Sequence, residues 1–446
     1  VAARLGGSYE DNQTDPETLR LQKWFGQALR PFLMRLVEER PRAAQVLVRL
    51  AYVWAQDMNR RSALARTSDH VAPSTVVLEP TSRCNLNCPG CYAKSTNLGE
   101  DMSYEALRDT VAEVQAMGTT LITLSGGEPF LREQRDQAVT RLAAEFPDLG
   151  FLVYTNGTLI DDPVAERLGR LGNVFPAISI EGGEEESDAR RGKTYYSRTH
   201  RVRRLLADYE VMYGFSATVT SQNAELIARE AFVDERIAQG DLFGWYFIIQ
   251  PIGRAPDTSL MVTPQQRARL RDTILGARVQ GKPIFLGDFW NDGPFVQGCM
   301  AGGRNYFHIY ANGDISPCVF SPVACGNMHD ILSGKSEYRS LGDFMIRHPF
   351  FRGFRDKQEE ITDWRAPCML IDHPDKFRAL CAQGHWYPAK NMPQGYLDGD
   401  IAHEIDRISC SWCRHLSDPD QSLDALLSDE ALRQAPASSL QQSAHS

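Results

Sequence analysis

The residues best suited to chemistry lie in one short stretch, Arg83-Cys84-Asn85-Leu86-Asn87-Cys88-Pro89-Gly90-Cys91-Tyr92. Three cysteines are spaced there as C-x3-C-x2-C, directly after a predicted strand from Ser74 to Glu79. A four-iron four-sulfur cluster normally takes four cysteine thiolates. Three on one loop hold three irons and leave the fourth with an open coordination position, where chemistry can start. The alternative is a structural zinc site, which also uses closely spaced thiolates, although zinc knuckles usually carry two C-x2-C pairs. On that alternative the chain is a zinc-binding scaffold and not an enzyme.

A second signal, Ser125-Gly126-Gly127-Glu128-Pro129, follows the apolar run Leu121 to Leu124. Backbone without side chains lets a ligand approach closely, and Glu128 offers a charge-assisted acceptor to an ammonium. With both motifs in this order, the sequence resembles the radical S-adenosylmethionine (radical SAM) superfamily. The resemblance implies that Cys84, Cys88 and Cys91 hold a [4Fe–4S] cluster whose open iron is chelated by S-adenosylmethionine. The Gly-Gly-Glu segment would hold the same amino group. Reduction by a low-potential donor, such as a flavodoxin or ferredoxin, then splits the sulfonium into methionine and a 5'-deoxyadenosyl radical. That radical takes hydrogen from an unactivated carbon, and such an enzyme is oxygen-sensitive.

Further strand ends match the family's pattern one by one. Thr155-Asn156-Gly157 resembles the segment beside the methionine and ribose, or is an ordinary Asn-Gly turn. Ser179 and Glu181 resemble its Ser-x-Asp/Glu near the ribose, and Asp188 with Arg191-Gly192 its Asp-x-x-Arg-Gly. Arg191 is suited to the cofactor carboxylate, since a guanidinium matches a carboxylate in two bonds; solvated charges on a surface helix are the plainer reading. Thr220 to Asn223, and Gln250 to Arg254, resemble adenine-side or substrate-side loops. One departure stands out. Many family members place an aromatic residue just before the third cysteine, whereas this chain has Gly90 there and Tyr92 just after. The adenine contact passes to Tyr92 or to backbone.

The other seven of the ten cysteines lie from Cys299 onward. Cys299, a predicted strand Tyr306 to Tyr310, the hairpin turn Asn312-Gly313 and Cys318 resemble the opening of a SPASM/twitch-type extension, which encloses an auxiliary iron–sulfur cluster. Cys325 and Cys368 are the candidate closing ligands. Cys381, Cys410 and Cys413 could ligate this cluster or a second one, or bind zinc, and Cys325 could be a free buried thiol. The segment Gly287 to Asp292 joins the two regions, as a cavity wall or as a plain structured linker.

The elements that must position these residues follow from periodicity. Strand candidates are Thr75–Leu78, Thr119–Leu124, Phe151–Tyr154, Ala177–Ile180, Ser216–Thr220 and Trp245–Gln250. Between them, helices are predicted near Tyr104–Met117, Gln134–Phe146, Pro163–Leu171, Arg198–Tyr213 and Ala224–Ile237. Asp162-Pro163 and Thr263-Pro264 each read as an N-cap followed by proline. Alternating strands and helices imply a parallel sheet with right-handed crossovers. The resemblance makes this α/β unit a partial (β/α)6 barrel, with a closed eightfold barrel as the alternative. The expected organisation is an N-terminal helical segment over 1–70, the barrel over 71–290, the extension over 291–418 and a partly disordered tail over 419–446.

Asp15 is predicted as the N-cap of the N-terminal segment, with Pro16 at the first helical position. Two helical runs follow, carrying Leu21, Phe25, Leu29, Phe32, Leu33 and Leu36, then Leu47, Leu50, Ala51 and Trp54. Arginines decorate both runs, so the pair contacts a membrane surface or lipid-like substrate, or simply packs on the barrel; packing is the preferred reading. No strand pattern precedes the barrel, which speaks against a leader-peptide-binding module. Together these features favour a small natural-product or lipid-like substrate, with a ribosomal peptide as the alternative suggested by the SPASM-like extension.

The net charge of −9 argues against a nucleic-acid surface. No run of about 18 apolar residues suggests a membrane span, and no secretory signal pattern is seen. Cysteines clustered by motif suit a reducing compartment, so a cytoplasmic location is expected. The first residue is valine, which leaves the natural start open.

Overall fold

Side chains alternate in and out along each central strand, as a pleated backbone requires, and this alternation builds the site. In the computed structural model, residues 23–65, 73–418 and 421 are described, without the side chains of 54–65. Seven parallel strands follow one another: β1 (Thr75–Thr81), β2 (Leu121–Gly126), β3 (Gly150–Thr155), β4 (Val174–Ile180), β5 (Gly214–Val219), β6 (Phe243–Ile248) and β7 (Phe285–Asp288). Outward residues such as Val76, Leu78, Ile122, Leu124, Phe151 and Val153 form the main core with the crossover helices. Their inward neighbours, among them Val77, Thr123, Tyr154, Ser179, Thr218 and Phe247, line a central cavity. The barrel is open and partial. β7 was not among the expected strands; it pairs in parallel with β6, Phe243 opposite Phe285 and Tyr246 opposite Asp288.

Three predicted helices are interrupted or shifted. The one expected over Gln134–Phe146 is two, Pro129–Asp136 and Ala138–Glu145, separated by Gln137 in the left-handed region at φ 54°. The buried Glu133 carboxylate accepts the Thr140 N–H at 2.9 Å and its hydroxyl at 2.7 Å. It thereby satisfies donors that a helix start leaves open. The helix expected over Ala224–Ile237 likewise breaks between Ile227 and Glu230, and the one expected from Arg198 begins at Tyr195. Asp161, not Asp162, caps the next helix by accepting the Val164 N–H at 3.0 Å. Thr263 caps as expected, in a reciprocal box with Gln266.

The C-terminal region joins the same sheet. β8 (His308–Ile309) runs parallel to β1, with Val77 opposite His308, and turns at Asn312-Gly313 into antiparallel β9 (Asp314–Ser316). Gly313 takes φ 88°, as the turn demands. With β11 (Gly326–Asn327) beside β9, the sheet has ten strands in the order β11-β9-β8-β1-β2-β3-β4-β5-β6-β7. A separate pair, β10 (Val323–Ala324) and β12 (Tyr387–Pro388), closes over the hairpin.

The two N-terminal helices, Arg30–Glu39 and Pro41–Ala65, pack on the barrel. Phe32, Leu36, Ala43, Ala44 and Leu50 bury against Leu152, Phe175, Ala177 and Phe243. Full burial of a side chain such as Phe32 or Leu36 stabilises by about 1.5–3 kcal/mol. The expected cap at Asp15, Leu21, the Trp54 side chain and the C-terminal tail lie outside the described residues, apart from Gln421. Among the described residues, no helix is long and apolar enough to cross a membrane.

Candidate active site

The cysteine loop leaves β1 and is pinned on every side by backbone. Cys84 N–H donates to Thr96 O at 2.9 Å, Glu128 N–H to Arg83 O at 2.8 Å and Gly127 N–H to Thr81 O at 2.9 Å. A Cβ on Gly127 would lie 1.8 Å from Arg83 O, so only glycine lets the two motifs meet. Gly90 adopts φ +64°, a backbone shape an aromatic residue resists, which accounts for the departure at this position. Tyr92 stands on the other side of the third cysteine and lines the cavity. Its hydroxyl lies 2.5 Å from Ser125 Oγ, and its ring meets Phe320 edge-on at 5.7 Å.

Two arginines clamp this loop: Arg254, which ends the segment expected to face cofactor or substrate, and Arg190, which the sequence reading did not single out. Arg254 donates to Cys88 O at 3.0 Å and also to Ser95 O. Arg190 reaches Pro89 O at 3.2 Å and Gly90 O at 3.3 Å. The adjacent Gly253 presses on the loop so closely that a Cβ would sit 2.2 Å from Cys91 O. Replacing Arg254 with alanine is expected to lower the iron retained on the loop and the rate of S-adenosylmethionine cleavage by about tenfold, and lysine is not expected to rescue, because it lacks the fork geometry. Iron content and 5'-deoxyadenosine yield per protein check this.

Cys84, Cys88 and Cys91 face one cavity of about 230 Å³, and Tyr92, Ser125, Gly126, Gly127, Glu128, Thr155, Asn156, Ser179 and Arg191 line it with them. Among the described residues, Glu128 is the only carboxylate in that lining. Burial, then the Glu128 charge and the two neighbouring thiols, push Cys84 up to about 12. A positively charged iron cluster is what would favour the thiolates here, so the donor set fits one. Among the described residues no set of three or more His, Cys, Asp or Glu groups is gathered as a compact single-ion cage.

Four of the expected site residues, Glu128, Pro129, Glu181 and Thr220, have partners within the protein or lie off the cavity. Glu128 is bound by the protein on both oxygens: Oε1 accepts Thr155 Oγ1 at 2.7 Å and the Phe130 N–H at 3.1 Å, and Oε2 accepts the Asn156 N–H at 2.8 Å. It caps the helix beginning at Pro129 and ties β2 to β3, while burial pushes its carboxyl up. Pro129 starts that helix and does not line the cavity. Glu181 is likewise off the cavity, where it pairs with Arg190 at 2.7 Å and with Arg191. Two guanidiniums share one carboxylate, leaving one positive charge in excess beside the cavity. Thr220 is not in the cavity lining, its N–H and hydroxyl donating to Asn223 Oδ1 at 2.7 and 3.1 Å, and Thr218 lines the cavity instead.

A second cavity of about 190 Å³ adjoins the first, and Trp245, Phe289, Met300, Tyr306 and Phe320 form a wall common to both. Cys299, Cys318 and Cys368 face it. Burial pushes all three thiols up, Cys318 to about 12. The Tyr306 hydroxyl lies 2.7 Å from Cys318 Sγ. Cys325 does not join this group. It is buried near Cys381 and opens on a different cavity, because the chain after the hairpin turns into β10 and β11. Cys410 and Cys413 are exposed on the helix Asp400–Leu416. Asp288, fully buried beside the second cavity, is pushed up by burial and by Asp292. The segment Gly287 to Asp292 is thus a cavity wall and not only a linker.

A family model of the radical SAM superfamily matches residues 78–219. The chain is a radical SAM enzyme. The enzyme is 27% identical over 319 residues to the AdoMet-dependent heme synthase of Methanosarcina barkeri, covering 65% of this chain and 86% of that one. It is also 27% identical over 373 residues to the mycofactocin maturase MftC of Mycobacterium tuberculosis, covering 75% and 90%. Among solved structures, Streptococcus suis SuiB bound to S-adenosylmethionine aligns with a TM-score of 0.53 at 17% identity, over 68% of this chain and 72% of that one. Native anSMEcpe with bound AdoMet and the Cp18Cys peptide aligns with a TM-score of 0.52 at 19% identity, over 77% and 98%. Those two show the fold. The enzyme's cofactors are S-adenosylmethionine, a [4Fe–4S] cluster and at least one auxiliary iron–sulfur cluster. The zinc-scaffold alternative falls with this match.

Proposed function

We propose that this enzyme modifies a peptide, taking hydrogen from an apolar or aromatic residue held between two iron–sulfur sites. Cys84, Cys88 and Cys91 would hold the catalytic cluster, and Cys299, Cys318 and Cys368 would contribute ligands to an auxiliary one. With its cofactors bound, the site supplies reductive cleavage of S-adenosylmethionine and a 5'-deoxyadenosyl radical. The remaining work belongs to the protein. The Gly126-Gly127 backbone and the Arg190/Arg191 charge in excess suit the amino-acid end of the cofactor, and the deep walls exclude water and orient one carbon–hydrogen bond.

The observation that carries the reading is the asymmetry of the cavity lining. Its charged groups among the described residues, Glu128, Arg190 and Arg191, cluster at the cysteine-loop end, whereas the rest is uncharged, with Tyr154, Trp245, Phe247, Phe289, Val319 and Phe320 beside a few hydroxyl and amide side chains such as Ser216, Thr218 and Gln250. A charged side chain would lose its hydration there without a partner; an aromatic or aliphatic one would not. Three relatives point toward peptides: MftC is named a maturase, SuiB is solved with its precursor peptide SuiA, and anSMEcpe with a peptide. The N-terminal helices, which had favoured a lipid-like substrate, bury one apolar stripe on the barrel, with Met34, Val37, Val48 and Tyr52 left exposed.

The test is anaerobic incubation of the reconstituted enzyme with S-adenosylmethionine, dithionite and short peptides encoded near its gene, with Fe-coproporphyrin and lipid arms in parallel. A peptide mass change localised to an apolar or aromatic residue, stoichiometric with 5'-deoxyadenosine, is expected. Turnover of the tetrapyrrole or lipid with none of any peptide would reverse the reading.

A further inference from the structure

Beneath the Gly-Gly turn lies a buried charge cluster that the chemistry above does not use. Glu79 on β1 is fully buried, and its Oε2 accepts Lys390 Nζ at 2.5 Å, across 311 residues of sequence. His308 Nε2, on β8, lies 3.3 Å from the other carboxylate oxygen. Burial would push the Glu79 carboxyl up, but the Lys390 ammonium and His308 hold it down at about 2, so it is charged. The Lys390 ammonium also stands 5.1 Å from the centre of the Tyr310 ring, which is 4.2 Å from the His308 ring.

Two contacts make this cluster more than a tie between chain segments. A Cβ on Gly126 would lie 2.6 Å from Glu79 Cγ, so the Glu79 side chain is the floor on which the turn rests. Asn391, next to Lys390, accepts the Gly253 N–H on its carbonyl at 2.9 Å and the Tyr310 hydroxyl on its side chain at 3.1 Å. Gly253 in turn presses on Cys91 O. The segment Lys390-Asn391 thus reaches the floor of the turn with one residue and the back of the cysteine loop with the other.

We propose that Lys390, acting through Glu79 and Asn391, is a positioning residue for S-adenosylmethionine, bracing the Gly126-Gly127 turn and the cysteine loop from the C-terminal region. The inference rests on the assignment of that turn to the cofactor and is independent of the substrate. Its physical basis is the cost of a lone buried charge. Without Lys390 the fully buried Glu79 carboxylate is left uncompensated and its surroundings relax to hydrate it, whereas the part-exposed Lys390 can turn to water when Glu79 is neutral, and removing both charges leaves a neutral contact that stays packed.

The test uses reconstituted enzyme with oxidised clusters and no reductant, so that binding is read without turnover, by equilibrium dialysis of S-adenosylmethionine and expressed per catalytic cluster. Lys390→Met is expected to weaken binding by about tenfold, and the double variant Lys390→Met/Glu79→Gln to return within about threefold of the parent. Asn156→Ala, in the cavity lining itself, is the control and is expected to weaken binding in every case. Parent-like affinity in Lys390→Met together with a loss in Asn156→Ala overturns the brace and leaves the site assignment intact. Parent-like affinity in both overturns the site assignment as well. A loss that tracks iron content and vanishes per cluster makes the triad merely structural and also overturns the proposal. Should Lys390→Met fail to fold, the double variant and Lys390→Arg stand in. Lys390→Arg keeps the charge at altered reach and is expected to weaken binding several-fold; parent-like binding by Lys390→Arg overturns the brace.

Discussion

Replacing Cys88 with alanine is expected to abolish 5'-deoxyadenosine formation while the iron held elsewhere in the chain is retained. Cys88 sits in the middle of the loop, its carbonyl fixed by Arg254 and its neighbour Pro89 by Arg190. The loop therefore keeps its shape in the variant and loses only a thiol. With two protein ligands where three would be needed, the cluster proposed to dock the sulfonium would not be retained. The measurement is anaerobic: deoxyadenosine by chromatography, iron and acid-labile sulfide by assay, and the residual cluster signal by paramagnetic resonance. Cleavage persisting in the variant would mean that the reductive chemistry belongs to the other group of cysteines.

The second large effect is on stability and lies at Arg267. This buried guanidinium meets Asp372 at 2.5 and 3.2 Å, donates to Asn291 Oδ1 at 3.0 Å and stacks 4.2 Å over Trp412. Asp372 in turn accepts the Cys368 N–H at 3.0 Å, so the pair fixes the backbone of a candidate cluster ligand. Changing Arg267 to methionine strands a buried carboxylate and is expected to cost about 3–5 kcal/mol. Adding Asp372→Asn should recover most of that loss, since no charge is then left alone. Denaturant unfolding of both variants, with iron counted separately, checks the expectation. A single variant as stable as the parent would show that water reaches Asp372.

The chemistry of the first loop was legible in sequence because it depends on local spacing. Cys84, Cys88 and Cys91 sit on one turn of chain, and the Gly-Gly-Glu motif must meet them where β2 ends. The six inner strands were legible for a similar reason, as short apolar runs between helices. What escaped was long-range pairing of charge. Glu181 carries a family-like position but spends its carboxylate on Arg190 and Arg191, and nothing local distinguishes that from a ribose contact. Glu128 shows the same limit, its acceptor capacity largely used within the protein. Arg190 was hidden by its neighbour, although a doubled arginine after an acidic run is the kind of signal that could have shown it. Lys390 and Glu79 lie too far apart in sequence for any pattern to join them. Cys325 was misplaced because hairpin spacing fixes Cys318 but says nothing of where the chain goes after β9. β7 was missed because its four residues, Phe285–Asp288, contain a glycine and end on a carboxylate that only burial explains.

The parallel pairing of β8 with β1 also constrains how the protein can be dissected. Cutting the chain near residue 298 to isolate the barrel would strip β1 of its outer neighbour and bare a row of unpaired amides and carbonyls along an apolar ribbon that includes Val76, Val77 and Leu78. Such a ribbon recruits strands from other molecules. The shortened fragment should therefore come out of expression as aggregate, and efforts to study the two halves are better served by point changes in the intact chain than by truncation.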